Sequence, residues 1–181
     1  MLDKNITPTK LLWVDLEMTG LEPLKDRIVE VAIEITDFNF KTIASFEAVI
    51  NHPDSVVNAM NPWAASQHNA SGLTAKIRNS KISEQEAIKD IVELIKENFG
   101  EEPAILAGNS IWNDRNFIRQ WWPEVDSLLH YRMLDVSSLK ILMQGKYGYV
   151  FEKDSSHRAF DDIQASIAEL QDYINKLKDD A

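Results

Sequence analysis

Three short stretches of this sequence place acidic residues where folding alone would not ask for them. The first is Asp15-Leu16-Glu17, the second Asp114, and the third His157-Arg158-Ala159-Phe160-Asp161-Asp162. Side chains alternate faces along a strand, so in a strand over Leu11–Leu16 the carboxylates of Asp15 and Glu17 point the same way as Leu11 and Trp13. Two carboxylates on one face repel each other and resist desolvation. Either the strand frays at Asp15 and both are solvated, or something neutralises them. Asp114, Phe117, Ile118 and Trp121 fall at i, i+3, i+4 and i+7, one continuous helix face. Three large apolar residues turn that face towards a core, and Asp114 goes with them. A helix dipole favours a carboxylate in the first turns, which accounts for the charge but not for its apolar company.

The last of the three lies at the start of a helix whose stripe is Phe160, Ile163, Ile167, Leu170, Ile174 and Leu177. At about 100° per residue, Asp161 falls nearly opposite that stripe, while Asp162 lies on its flank beside Ala159 and Ser166. Asp162 is therefore the inward candidate and Asp161 the solvent residue. His157 converges with Asp162 only from a loop or an irregular first turn. Gathered at one sheet edge, Asp15, Glu17, Asp114 and Asp162 would need cations to offset their mutual repulsion. All-oxygen ligands select magnesium or manganese over zinc. Two such ions suit in-line attack on a phosphodiester, one activating water and the other stabilising the leaving oxygen. A nearby histidine, His157, would then be the general base.

The elements that must position these residues alternate in type. Leu11–Leu16, Arg27–Asp37 and Thr42–Ile50 read as strands of an antiparallel meander opening a mixed sheet. Asn58–Asn69 reads as a helix broken at Ser71-Gly72, with a short helix after it. Ser83 and Glu86 form a capping-box pattern that opens a helix ended by Gly100. A buried strand is expected at Ala104–Ala107, a helix at Ser110–Trp122 stopped by Pro123, a strand at Tyr131–Val136, a helix at Ser137–Gln144 and a last helix from Ser156 to Lys178. Strands and helices mixed in this way predict a layered α/β domain over residues 11–178, with a flexible segment 1–10 and a frayed tail 179–181. Glu30 and Glu34 share a strand face, expected to be solvated.

Composition narrows the function further. The 181 residues carry 19 basic and 29 acidic side chains, a net charge of −10. A chain that grips long nucleic acid through its phosphates is usually basic, so extended DNA or RNA binding is disfavoured unless cations intervene. The absence of cysteine excludes disulfides, thiolate zinc sites and cysteine catalysis. No apolar run is long enough to cross a membrane, and the polar start lacks a signal-peptide core, so a cytoplasmic protein without membrane partners is expected.

The order D-x-E, then D, then H-x-A-x-x-D resembles the DEDDh 3′→5′ exonucleases. Asp15–Leu21 is similar to their first motif, Gly108-Asn109-Ser110 with Asp114-Arg115 and Phe117 to the second, and His157–Asp162 to the third. Within that superfamily the chain resembles the oligoribonucleases from about Leu11 to Tyr173, through Ala70-Ser71-Gly72-Leu73, Gly108–Ile111, His130-Tyr131-Arg132 and Leu134-Asp135-Val136-Ser137. Asn61-Pro62 departs from the acidic pattern that the family carries before Trp63. The resemblance implies a ribonuclease-H-like mixed sheet flanked by helices, and a homodimer that cuts very short RNA, especially 5′-phosphorylated dinucleotides, to nucleoside 5′-monophosphates. It also implies two divalent cations, Mg²⁺ or Mn²⁺. Asp15, Glu17 and Asp162 would hold the first, Asp15 would be shared with the second, Asp114 would support the second, and His157 would be the base. Leu21 and Trp63 would frame a dinucleotide, Tyr131 would reach in from the partner subunit, and Ser110, Arg132 and Ser137 would cap the 5′ phosphate.

Overall fold

The computed structural model of the chain describes residues 7–152 and 159–179. Strands β1 (Lys10–Met18), β2 (Ile28–Asp37) and β3 (Thr42–Val49) form an antiparallel meander. Strands β4 (Ala104–Gly108) and β5 (Leu129–Asp135) then add in parallel on the other side of β1. The sheet order is β3-β2-β1-β4-β5, which puts β1 in the centre with both edges partnered. This is the mixed sheet, meander plus parallel strands, that the sequence predicts.

Central position explains why β1 is apolar on both faces. Leu12, Val14, Leu16 and Met18 enter one core, against Ile91 and Ile95 of α4 (Glu84–Phe99), Phe117 and Ile118 of α5 (Ile111–Trp121), and Val125 of α6 (Pro123–Asp126). Leu11 and Trp13 enter the other, against Val136 and Met143 of α7 (Val136–Tyr147) and Ile163, Ile167, Leu170 and Tyr173 of α8 (Ala159–Asp179). A third, smaller cluster seats α1 (Asp54–Val57) and α3 (Leu73–Asn79) on Val29. Trp122 is fully buried, and the Arg27 guanidinium stacks on the Trp121 ring, so both tryptophans serve packing.

Several expectations are corrected. The helix expected over Asn58–Asn69 begins only at Pro62, as α2 (Pro62–Ala70), and α1 ends before the expected start. Asn61 is extended, its side chain accepts the Ala64 N–H at 2.8 Å, and Pro62 supplies the first helical position, so a new helix must begin there. Lys10, placed in the flexible segment, is the first residue of β1, and Asp179 belongs to α8. The face carrying Glu30 and Glu34 is buried rather than solvated, because α8 lies across it. There Glu34 accepts hydrogen bonds from Thr42 and Gln164. The capping box at Ser83 and Glu86 forms as expected, as does the break at Gly72, a left-handed residue with φ 75°. No helix among the described residues is long and apolar enough to cross a membrane.

Candidate active site

The strand does not fray at Asp15. β1 stays paired with β2 through Asp15–Ala32 and Glu17–Glu30, and alternation sends both carboxylates to the α8 side of the sheet. Asp162 arrives from the first turn of α8, where Ile163 and Ile167 fix the helix against Leu11 and Trp13. One carboxylate oxygen from each of Asp15, Glu17 and Asp162 lies within 4.8 Å of the other two, and all three residues are half-buried. Asp161 faces solvent. Three hard oxygen donors converging this closely fit a divalent cation, which would offset the repulsion that brings no benefit to folding.

Asp114 comes from the other face and stands outside that triplet. β4 pairs with β1 only at Leu12–Leu106 and Trp13–Ala107 before the chain turns away. The turn is at Gly108, where a Cβ would sit 3.0 Å from the Val14 carbonyl oxygen, and Ser110 follows it in a left-handed conformation with φ 51°. α5 then carries Asp114 back to the vacated edge of β1, where its carboxylate accepts the Leu16 N–H at 3.1 Å. Burial pushes the Asp114 carboxyl well above the ordinary aspartate range. The charge of Asp15 and, less strongly, of Glu17 add to the shift, while hydrogen bonds from the backbone oppose it. The apolar face of α5 and the acidic site are thus electrostatically joined through this one side chain.

Beside Glu17 the surface opens into a pocket lined by Leu16, Glu17, Met18, Gly20, Leu21, Trp63 and Ala64. Leu21 is 65% exposed and Trp63 60% exposed, so neither belongs to a core. Composition and spacing gave no sign of His68, which is buried and contacts two of the residues that line this pocket. Its Nε2 is 2.8 Å from the Met18 carbonyl oxygen and its Nδ1 3.8 Å from Glu17 Oε2. A lone histidine inside Ser66–Ala70 has no spacing signature, and its contact across 50 residues depends on how α2 packs. Glu30, expected to be solvated, lies opposite Glu17 in register and is buried.

The residues expected to cap a phosphate separate into two groups. The Ser110 N–H donates to Ser137 Oγ at 2.9 Å and to Asp135 Oδ1 at 3.0 Å, and the two serine hydroxyls are 3.2 Å apart. Asn109 accepts from Ser137 and donates to Ser166 and Glu169, tying this pair to α8. Tyr131 and Arg132 are elsewhere. They line a second pocket with Thr9, Lys10, Phe99 and Pro103, at the end of the sheet where β1 begins. Lys10 and Asp15 are five residues apart, about 16 Å of strand. Tyr131 and Arg132 are thus set back along the strand direction from the acidic triplet, and four and three residues of β5 separate them from Asp135, which bonds Ser110. His157 lies outside the described residues.

Comparison with known proteins agrees with this fold. The exonuclease family RNase_T matches residues 12–170. An oligoribonuclease from Francisella tularensis subsp. novicida is 44% identical over 169 residues, spanning 92% of this chain and 95% of the relative. Among solved structures, exonuclease I from Methylocaldum szegediense superposes with a TM-score of 0.71 at 17% identity, covering 89% of this chain. A zinc-bound complex of E. coli exonuclease I with single-stranded DNA gives 0.68 at 16%, covering 91%. The chain spans about two-fifths of those two exonuclease I chains, which share its fold. With a family match over most of its length and that degree of identity end to end, the chain belongs to the exonuclease family and, within it, to the oligoribonucleases, which are 3′→5′ exoribonucleases.

Proposed function

We propose that this exoribonuclease acts on very short RNA, above all 5′-phosphorylated dinucleotides, and releases nucleoside 5′-monophosphates. The observation that carries the reading is the adjacency of the Asp15–Glu17–Asp162 triplet to the Leu21–Trp63 pocket, with Glu17 common to both. An exposed leucine and an exposed tryptophan facing one small cavity suit a nucleobase, since stacking on an aromatic ring contributes about 1–3 kcal/mol per base whatever its identity. Asp15, Glu17 and Asp162 would hold one divalent cation, Mg²⁺ or Mn²⁺, and Asp15 with Asp114 a second. Cations held there supply activation of the attacking water and neutralisation of charge at the leaving oxygen. His157 removes the proton from that water. Ser110 and Ser137 bind the 5′ phosphate through their hydroxyls.

Completing that cap requires Arg132, whose guanidinium can donate two hydrogen bonds to one phosphate. Because Arg132 and Tyr131 lie at the far end of the sheet from their own site, the reading makes the enzyme a homodimer in which both reach the partner's site. A groove closed at both ends gains nothing from further nucleotides, which agrees with a net charge of −10. The test is direct. Labelled 5′-phosphorylated RNA dinucleotide, RNA heptamer and single-stranded DNA are each incubated with the enzyme and Mg²⁺. The dinucleotide should be hydrolysed at least as efficiently as the heptamer, and a clear preference for the heptamer or for DNA overturns the assignment.

A further inference from the structure

We propose that Asp26 is a positioning residue for substrate recognition, and that its buried carboxylate fixes the loop displaying Leu21 at one spacing from Trp63. The proposal rests on the reading of Leu21 and Trp63 as the walls of the base pocket. Asp26 takes no part in the acidic triplet, yet it is 8% exposed in a loop whose tip is open to solvent. The Thr19 hydroxyl donates to its Oδ1 at 3.0 Å and the Glu22 N–H donates to its Oδ2 at 2.9 Å. Those two donors flank Leu21 in sequence, so one carboxylate bridges the residues on either side of the exposed leucine. Both oxygens accept, which an amide in the same place could not do without turning an N–H₂ towards a donor.

The base of the loop is closed as well. The Thr19 N–H donates to the Arg27 carbonyl, and the Thr19 hydroxyl accepts the Arg27 N–H. Gly20 is required by the same contact, because a Cβ there would lie 2.4 Å from Asp26 Oδ2. The opposite wall hangs from the same two residues of chain. The Asn61 N–H, at the start of α2, donates to the Thr19 carbonyl oxygen at 2.9 Å, and His68 Nε2, two turns later, bonds the Met18 carbonyl oxygen. Leu21 and Trp63 are thus both referenced to Met18–Thr19, immediately after Glu17. Losing the Asp26 bridge frees the Leu21 wall while leaving the Trp63 wall and the carboxylates in place.

The experiment is a double-mutant cycle on the full-length enzyme with Mg²⁺ and a 5′-phosphorylated RNA dinucleotide, reading KM and kcat separately. Leu21→Ala and Asp26→Ala should each raise KM about tenfold, the loss of one apolar wall, with kcat changed little. The double variant should be no worse than either single one, because Asp26 acts through Leu21. Manganese titration should be the same in Asp26→Ala and wild type. Asp26→Asn, which can keep one of the two bonds, should fall between, and it replaces Asp26→Ala if that variant does not melt cooperatively. Full additivity of the two changes, or a lowered kcat at unchanged KM, overturns the role of Asp26. If Leu21→Ala leaves KM unchanged, the base-pocket reading itself fails and takes this proposal with it. If Leu21→Ala raises KM but neither Asp26 variant does, only the positioning role is lost.

Discussion

The Leu16 N–H donates to Asp114 across the gap that β4 leaves when it turns away at Gly108. That bond gives the carboxylate two roles. It satisfies an edge of β1 that β4 no longer covers, and it does so with a buried charge facing Asp15 and Glu17. A neutral acceptor would complete the strand equally well, so the charge is present for the chemistry and against the fold.

Asp114→Asn separates the two roles. Asparagine still accepts the Leu16 N–H but carries no buried charge, so the variant should be the more stable protein when divalent cations are chelated. An increase in Tm of about 2–4 °C is expected, the response of a domain this size to about 1 kcal/mol. Adding Mn²⁺ should stabilise wild type more than the variant, since a ligand that binds only the folded state raises stability by mass action. Turnover should be lost. Differential scanning calorimetry with EDTA and with Mn²⁺ measures both, and a variant less stable than wild type in EDTA refutes the division of roles.

Asp15→Ala, Glu17→Ala and Asp162→Ala should each abolish hydrolysis in a chain that still melts cooperatively, because the three carboxylates converge without serving a core. Asp161→Ala is the internal control. It is exposed one residue away, and kcat should stay within about twofold, as for a surface change worth about 0.5 kcal/mol. Equal loss in Asp161→Ala and Asp162→Ala removes Asp162 from the site.

His157→Ala should lower kcat by about 10²–10⁴-fold, the usual worth of a positioned acid–base group. A base that is not a ligand leaves the carboxylate cluster intact when it is removed, so calorimetric titration with Mn²⁺ should give the wild-type affinity. Collapse of metal affinity together with activity makes His157 a ligand instead of a base.

The alternation of Leu11–Glu17 and the wheel of α8 were legible in the sequence because burial imposes a period that the residues obey over many positions. Asp162 and Asp161 could be told apart on that ground alone. The start of α2 was written in Asn61-Pro62, an N-cap followed by a proline at the first helical position, and the expected helix overran it by beginning at Asn58. Burial of Glu30 and Glu34 was not legible, because it depends on α8 crossing β2 from more than 100 residues away. His68 was hidden because its contact spans 50 residues, and Asp26 because its local partners, a hydroxyl and a backbone N–H, have no pattern of their own. Local periodicity reveals which face a residue takes. It does not reveal which distant element comes to cover that face.

The two-pocket arrangement makes the strongest demand on assembly. Tyr131 and Arg132 sit with Lys10 and Phe99, and the acidic triplet sits at the other end of β1. If Tyr131 served its own site, a subunit carrying Tyr131→Ala and a subunit carrying Asp15→Ala would each spoil one site in a mixed dimer, and no site would be whole. If it serves the partner's site, the lesions combine. The site on the Asp15→Ala subunit then also lacks the tyrosine ring, while the other site keeps Asp15 and receives an intact Tyr131. Each variant should be nearly inactive on the 5′-phosphorylated dinucleotide as a homodimer. Heterodimers purified with two different affinity tags should then recover about half of the wild-type activity per dimer, one whole site of two. Arg132→Ala paired with Asp15→Ala should behave alike, since Arg132 stacks beside the Tyr131 ring and must travel with it. No recovery in a verified heterodimer, or a wild-type enzyme that is fully active as a monomer, refutes the shared site.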